Sequence, residues 1–230
     1  MSGDAQGSKL LRSIRQWNSK DNAEPASAAP SAKAPAAGDP LERAFEQTLA
    51  LAGEDAPATE DAEAILTAGI QDITNTLVDQ YNLNDLLRII VETMYRAMGF
   101  ARVILFTLDA RGTFMPARVA FGAGVDRLLK TLVVPLSRAQ DVFQVALDKN
   151  VDLLIADTGA ENISSRIPTW YRQKIAAETF LLLPIVVEKR IVGLLYADKD
   201  KAGELVIRPK QLNLLKTLRN QAVLAIRQKM

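Results

Sequence analysis

The stretch FLLLPIVVEKRIVGLLYAD, Phe180 to Asp198, constrains this chain more than any other. Eight uncharged residues run from Phe180 to Val187, then come Glu188, Lys189 and Arg190, then seven more uncharged residues from Ile191 to Ala197. A membrane-spanning helix needs roughly 20 apolar residues in a row, and neither run reaches that length. Two aliphatic runs joined by a charged turn read instead as a β-hairpin. Strands that are apolar on every residue are buried on both faces. The hairpin therefore belongs at the centre of a sheet, with helices covering one side and something else covering the other.

The rest of the composition narrows what such a fold can do. At 48% apolar residues the 230-residue chain can bury a real core, and a net charge of +1 gives no overall pull toward nucleic acid, membrane or acidic substrates. The chain has neither cysteine nor histidine. The first absence excludes disulfides, iron–sulfur clusters, cysteine-zinc sites and thiol nucleophiles. The second removes the commonest general base and the commonest transition-metal ligand. Only carboxylates, Lys, Arg, Tyr, Ser and Thr remain for chemistry, so we expect no enzyme, no metal site and no cofactor. The opening MSGDAQGSKLLRSIRQWNSK is polar and basic rather than a hydrophobic signal segment, which predicts a cytoplasmic protein.

Three units follow from the patterning. Residues 1–20 carry an amphipathic stripe of Leu10, Leu11, Ile14 and Trp17 with basic Lys9, Arg12 and Arg15, and read as a short helix or the end of an upstream unit. Between Asp21 and Glu60 lie 13 alanines and five of the ten prolines, a semi-extended linker composition. A short helix at 40–52 interrupts it, with Asp39 as N-cap, Pro40 in the first turn and Gly53 at its end. Residues 61–230 carry the dense periodicity of a folded domain. Leu66, Ile70, Ile73 and Leu77 make one helical stripe, and Leu87, Ile90, Val91, Met94 and Met98 another, closed by Gly99. Strands are predicted at Arg102–Asp109, Phe114–Gly122, around Val133 and from Val151, before the long hairpin. Helices are predicted at Val125–Lys130, Gln140–Lys149 and Ile163–Ile175, and Pro209 opens a final one with Leu212, Leu215, Leu218, Ala222 and Ile226 on one stripe. Consecutive strands joined by short turns make an antiparallel sheet, and the class is α+β.

The hairpin LLLPIVVEKRIVGLLYADK, with Pro184, Gly193, Tyr196, Ala197 and Asp198, resembles that of the GAF domain. So do the helix LNDLLRIIVETMYRAMG before the first strand and the Leu-rich helix LNLLKTLRNQAVLAI at the end. The segments RIPTWYRQKI and FLLLPIVVE are most similar to the GAF-type domain found after HDOD domains in bacterial signalling proteins. The resemblance implies a central antiparallel sheet of five or six strands with the terminal helices on one face. Short helices and loops on the other face would roof a small-molecule pocket. Chromophore attachment and methionine-sulfoxide reduction in relatives of this fold need cysteine, and haem ligation commonly needs histidine; this chain has neither. Lys189 stands where the hairpin turn often carries glycine, and the cost of a lysine at positive φ leads us to expect a turn of another type.

The segments expected to roof the pocket supply the candidate ligand residues Phe121, Arg127, Phe143, Asp157, Arg166, Trp170 and Tyr171, an aromatic wall with arginines suited to a planar or anionic ligand. Phe143 and Trp170 read equally well as core residues filling that space, and Arg166 with Asp157 as a loop-pinning ion pair. The resemblance also implies pairing of the first and last helices across a two-fold, with Leu66, Ile70, Ile73, Leu77, Ala222 and Ala225 as a dimer interface; packing within one chain is the alternative. FGAG (Phe121–Gly124) lacks the further glycine and lysine of a phosphate loop. Asp198-Lys199-Asp200 reads as a solvated turn rather than a Mg²⁺ site. The basic C-terminal segment, eight Lys and Arg against two acids from Lys199 onward, lacks the aromatic platforms of a nucleic-acid surface and reads as a solvated helix face. The expected function is a non-catalytic, homodimeric sensory module with an unidentified ligand and an upstream HDOD or other signalling domain as partner. The rival is a ligand-free dimerisation scaffold.

Overall fold

The computed structural model describes residues 60–229 apart from 79, 138 and 139. The units expected at 1–20 and 21–60 lie outside the described residues, Glu60 excepted. Two helices come first, α1 (Glu60–Val78) and α2 (Leu83–Met98). Asn82 caps α2 by accepting the backbone N–H groups of Asn84 and Asp85, and Gly99 ends it at φ 57°, the two ends a helix of this sequence should have. Strands β1 (Arg102–Thr107) and β2 (Phe114–Gly122) form a hairpin, and the short helix α3 (Val125–Thr131) leads into β3 (Val133–Pro135). Helix α4 (Val142–Lys149) precedes β4 (Leu153–Ile155), and two short helices follow, α5 (Glu161–Ser164) and α6 (Thr169–Lys174). The long hairpin is β5 (Thr179–Val187) and β6 (Arg190–Lys199), and α7 (Pro209–Gln228) closes the fold.

All neighbours in the six-stranded sheet, ordered β3-β2-β1-β6-β5-β4, are antiparallel, so the apolar hairpin lies at its centre as expected. Pro184 fits inside β5 because β4 pairs only with Phe180, Leu181 and Leu182 and ends before reaching it. Two bulges set which side chains face which way. Leu105 faces Val119 and Phe106 faces Ala117, which leaves Arg118 as an extra residue on β2. Ile185 faces Gly193 and Val186 faces Ile191, which leaves Val192 extra on β6. Each insertion moves the alternation one step out of phase. At Gly193 an added Cβ would stand 2.7 Å from the Phe106 carbonyl oxygen, so only glycine lets β1 and β6 pair there.

The helix-side core is aliphatic. Leu181, Leu183, Ile185 and Leu195 pack against Leu87, Ile90, Leu215 and Leu218, all 1% exposed or less. Helix α1 forms an outer layer over α2 and α7, and Gly69 allows the approach, since a Cβ there would lie 2.4 Å from the Thr93 methyl. This corrects the expected dimer interface. Leu66, Ile73, Ala222 and Ala225 are fully buried within the single chain, with Ile70 and Leu77 packed against the same cluster. The Tyr81 hydroxyl donates to the Ala225 carbonyl at 3.0 Å, and Gln221 and Lys210 tie α7 to Thr74 and Glu63 of α1. The helical seam is spent on intramolecular packing. Among the described residues no helix is long and apolar enough to cross a membrane.

The β5–β6 turn corrects another expectation. Val187 pairs with Arg190 across two residues, and both of these, Glu188 (φ 50°) and Lys189 (φ 66°), are left-handed. A two-residue hairpin whose turn matches the strand twist demands positive φ at both positions, and here Glu-Lys fills it at a cost of about 1–2 kcal/mol per residue.

Candidate functional site

The face of the sheet away from α2 and α7 is roofed by α4, α5, α6 and their loops, and aromatic side chains fill most of the space beneath. Asp141 caps α4 by accepting the N–H groups of Phe143 and Gln144, which aims Phe143 at the sheet. The Phe143 ring lies 5.6 Å from that of Phe180 and 4.8 Å from that of Trp170, and the Tyr171 ring lies 4.9 Å from Phe180. Offset and tilted pairs at these separations are attractive beyond simple burial. Phe106, Phe143, Tyr171, Phe180 and Tyr196 are all 1% exposed or less.

A buried polar chain runs beside these rings. The Tyr171 hydroxyl lies 3.0 Å from the Ala177 carbonyl and 3.1 Å from the Tyr196 hydroxyl, and its single proton serves one of these acceptors at a time. Tyr196 donates to Asp198 Oδ2 at 2.5 Å. Arg102 Nε donates to both Asp198 oxygens, at 2.8 and 3.1 Å, and its terminal nitrogen reaches exposed Asp200 at 2.9 Å. Burial pushes the Tyr171 and Tyr196 hydroxyls well above the ordinary phenol range, so both stay neutral donors. Burial also raises the Asp198 carboxyl above its usual value, while Arg102 pulls the other way. Burial works against the Arg102 charge, but the hydrogen bond and charge of Asp198 outweigh it. The expected solvated turn holds for Asp200 and fails for Asp198, which is fully buried. Among the described residues no three carboxylates gather into a metal site.

The roof leaves space at its far end. A cleft of about 460 Å³ opens between α4, the β1–β2 turn and the β5–β6 turn. Leu108, Met115, Leu147 and Ile191 form its floor, and Asp148, Lys189 and Arg190 stand at its rim. Gln144 fixes the α4 wall, its Nε2 donating to the Pro135 carbonyl at 2.7 Å and its Oε1 accepting from Ser137 N–H at 3.3 Å. The Asp109 carboxylate holds the β1–β2 turn by accepting the N–H groups of Arg111, Thr113 and Phe114. Burial would raise its pKa, but these donors outweigh it and hold the group below the usual carboxylate range.

The structure brings Phe143, Trp170 and Tyr171 together and separates the other candidate residues. Phe121 faces the opposite side of the sheet, stacked on Tyr95 at 6.2 Å with Arg88 over its ring, because the bulge at Arg118 reverses the alternation of β2. Arg127 is exposed on α3, and Asp157 is exposed and accepts the N–H of Gly159 at 2.6 Å in a local turn. Arg166 lies between α5 and α6, partly buried, its carbonyl accepting from Val142 N–H at 3.1 Å. None of the seven lines the cleft. The single sequence signal for the cleft was the charged turn Glu188-Lys189-Arg190 between two apolar strands. The basic residues of α7 are not all solvated: Lys216 and Arg219 pair with Asp152 at 3.3 and 3.2 Å, and Arg219 also donates to the Pro184 carbonyl.

Solved structures with this architecture come from several kinds of protein. The GAF domain of a phosphoenolpyruvate-protein phosphotransferase from Coxiella burnetii is similar at a TM-score of 0.59 and 14% identity, over 72% of this chain and 95% of that one. A methyl-accepting chemotaxis protein fragment is similar at 0.57 and 21%, over 70% and 96%. A free methionine-R-sulfoxide reductase from Neisseria meningitidis, solved with its substrate, is similar at 0.55 and 16%, over 76% and 96%. At these identities the likeness is one of fold. No curated protein matches the chain. The sequence model of the GAF domain matches residues 82–226, from the cap of α2 to the last turns of α7. The chain therefore belongs to the GAF domain family, whose members are generally sensory or regulatory domains of signalling proteins.

Proposed function

We propose that this GAF domain is a non-catalytic sensory module of bacterial signal transduction, acting in the cytoplasm and binding a small molecule in the cleft between α4 and the two hairpin turns. The cleft carries this reading. Its volume of about 460 Å³ falls in the range of roughly 300–1,000 Å³ typical of ligand sites, and an apolar floor with a few polar groups at the rim is their usual make-up. The absence of cysteine and histidine from the chain supports a role in binding rather than chemistry. A ligand that favours one position of α4 shifts that equilibrium. Asp152, just beyond α4, is tied to Lys216 and Arg219 of α7, so the helix layer would feel the change. The layer would pass it to a second copy, through outward residues such as Ile65, Ile89 and Leu224, and to an upstream signalling domain of HDOD or another type.

A thermal-shift screen of the full chain against cyclic nucleotides, purines, amino acids and small carboxylates tests the reading. A ligand at 100 times its dissociation constant stabilises by about 2.7 kcal/mol, a shift of several degrees in Tm. The stacking of Phe143 on Phe180 favours a second reading, a dimerisation scaffold whose central space is closed by its own side chains. Silence across the panel together with a dimer by sedimentation would support that second reading.

A further inference from the structure

The cleft is divided in character, and its divisions point to the chemistry of its ligand. Leu108 and Met115 from the β1–β2 side, Leu147 from α4 and Ile191 from β6 give it an apolar bed. Two cations, Lys189 and Arg190, stand on the hairpin side of the rim, against one acid, Asp148, in the last turn of α4. The rim is net positive. Arg190 has a partner of its own. The Lys189 ammonium has no hydrogen-bond or ion-pair partner among the described residues. Lys189 is also one of two consecutive left-handed residues, at φ 66°, in a turn where Asn-Gly would be relaxed.

We propose that the cleft takes a small amphipathic anion, one carboxylate or phosphate on a short apolar body, with Lys189 Nζ as the charge partner. The apolar body lies on Leu108, Met115, Leu147 and Ile191, and the anion faces the hairpin side of the rim, away from Asp148. An ammonium is a compact point charge rather than a bidentate fork, so it accepts either anionic group. The inference rests on the cleft being the ligand site.

The test is titration of the full chain with octanoate, octyl phosphate, 1-octanol and octylammonium, read by backbone-amide NMR and by Tm. The two anions are expected to move the amides of Leu147, Lys189 and Ile191, with 1-octanol about tenfold weaker and octylammonium weaker still. Lys189→Gln should weaken octanoate about tenfold and leave 1-octanol unchanged, as loss of one charge-assisted contact predicts. Lys189→Gly should weaken octanoate equally while raising the Tm of the free protein, which separates loss of the charge from damage to the fold. If 1-octanol binds as tightly as octanoate and moves the same amides, the anionic class is overturned and the cleft remains the site. If octanoate affinity is unchanged in Lys189→Gln, the role of Lys189 is overturned. If no probe moves an amide of the cleft, the proposal fails, while ligands found by the wider screen still judge the cleft itself.

Discussion

The two faces of the central sheet solve the same burial problem with different materials. On one face, long helices of regular period lay aliphatic side chains against Leu181, Leu183, Ile185 and Leu195. On the other, helices of four to eight residues lie over large rings and over a buried polar chain in which Tyr171 meets Tyr196, Asp198 and Arg102 of the strands. A long helix delivers a side chain to the core every three or four residues, so each can be small. The two shortest helices of the roof, α5 and α6, bury one side chain each, Ile163 and Tyr171, and an aromatic ring covers about 150–250 Å² on its own. The difference locates specificity: the aliphatic face is redundant, whereas the aromatic face depends on a few irreplaceable contacts.

Removing one large side chain from each face should separate the two most clearly. Phe143→Ala should cost about 3–5 kcal/mol and Leu218→Ala about 2–5 kcal/mol, measured by urea denaturation. The two should then part company. The hole at Phe143 is walled by Phe180, Trp170 and the hydrogen-bonded Tyr171, so it should persist and bind indole or benzene with a rise in Tm. The hole at Leu218 should shrink as α1 and α7 settle, with no such rescue. Equal rescue of both variants would erase the distinction.

A smaller effect is expected at Tyr196, whose hydroxyl joins the roof to Asp198. Tyr196→Phe should cost about 1–3 kcal/mol with the denaturant slope unchanged, because the ring still fills its place and only the polar link is lost. The smallest effect is predicted at Asp109, in the turn beside the cleft. Its folded pKa lies below the ordinary value near 3.9, so its contribution is complete above about pH 4 and is lost as pH falls through the lowered folded value. Asp109→Asn should therefore be weaker than wild type by about 1 kcal/mol at pH 7, and the gap should close as the pH drops below 4. Denaturation midpoints at the two pH values decide it.

What the sequence made legible follows the same division. The central hairpin, both long helix stripes, the stop at Gly99 and the antiparallel order were readable because each follows from a pattern that burial or backbone geometry enforces. The roof was readable only as a collection of aromatics and arginines. Phe121 shows why: strand alternation alone puts it with Met115 and Ala117, and one extra residue at Arg118 turns it to the other face. Bulges leave no mark in a strand-like sequence. The intramolecular use of Leu66, Ile73, Ala222 and Ala225 was likewise invisible, since a helical stripe looks the same whether it meets its own chain or another. Lys189 failed for a further reason, in that the strand twist outweighed the local preference of the residue.

Trp170 gives the roof a voice. Its indole is half-buried, 4.8 Å from Phe143 and 6.0 Å from Tyr171, on the short helix that carries the first hydroxyl of the buried chain. Indole emission shifts in colour with the polarity around it, so any event that lifts α6 from the sheet would redden its light. With Trp17 replaced by Phe, the protein carries its own optical gauge of whether the aromatic face is open or shut.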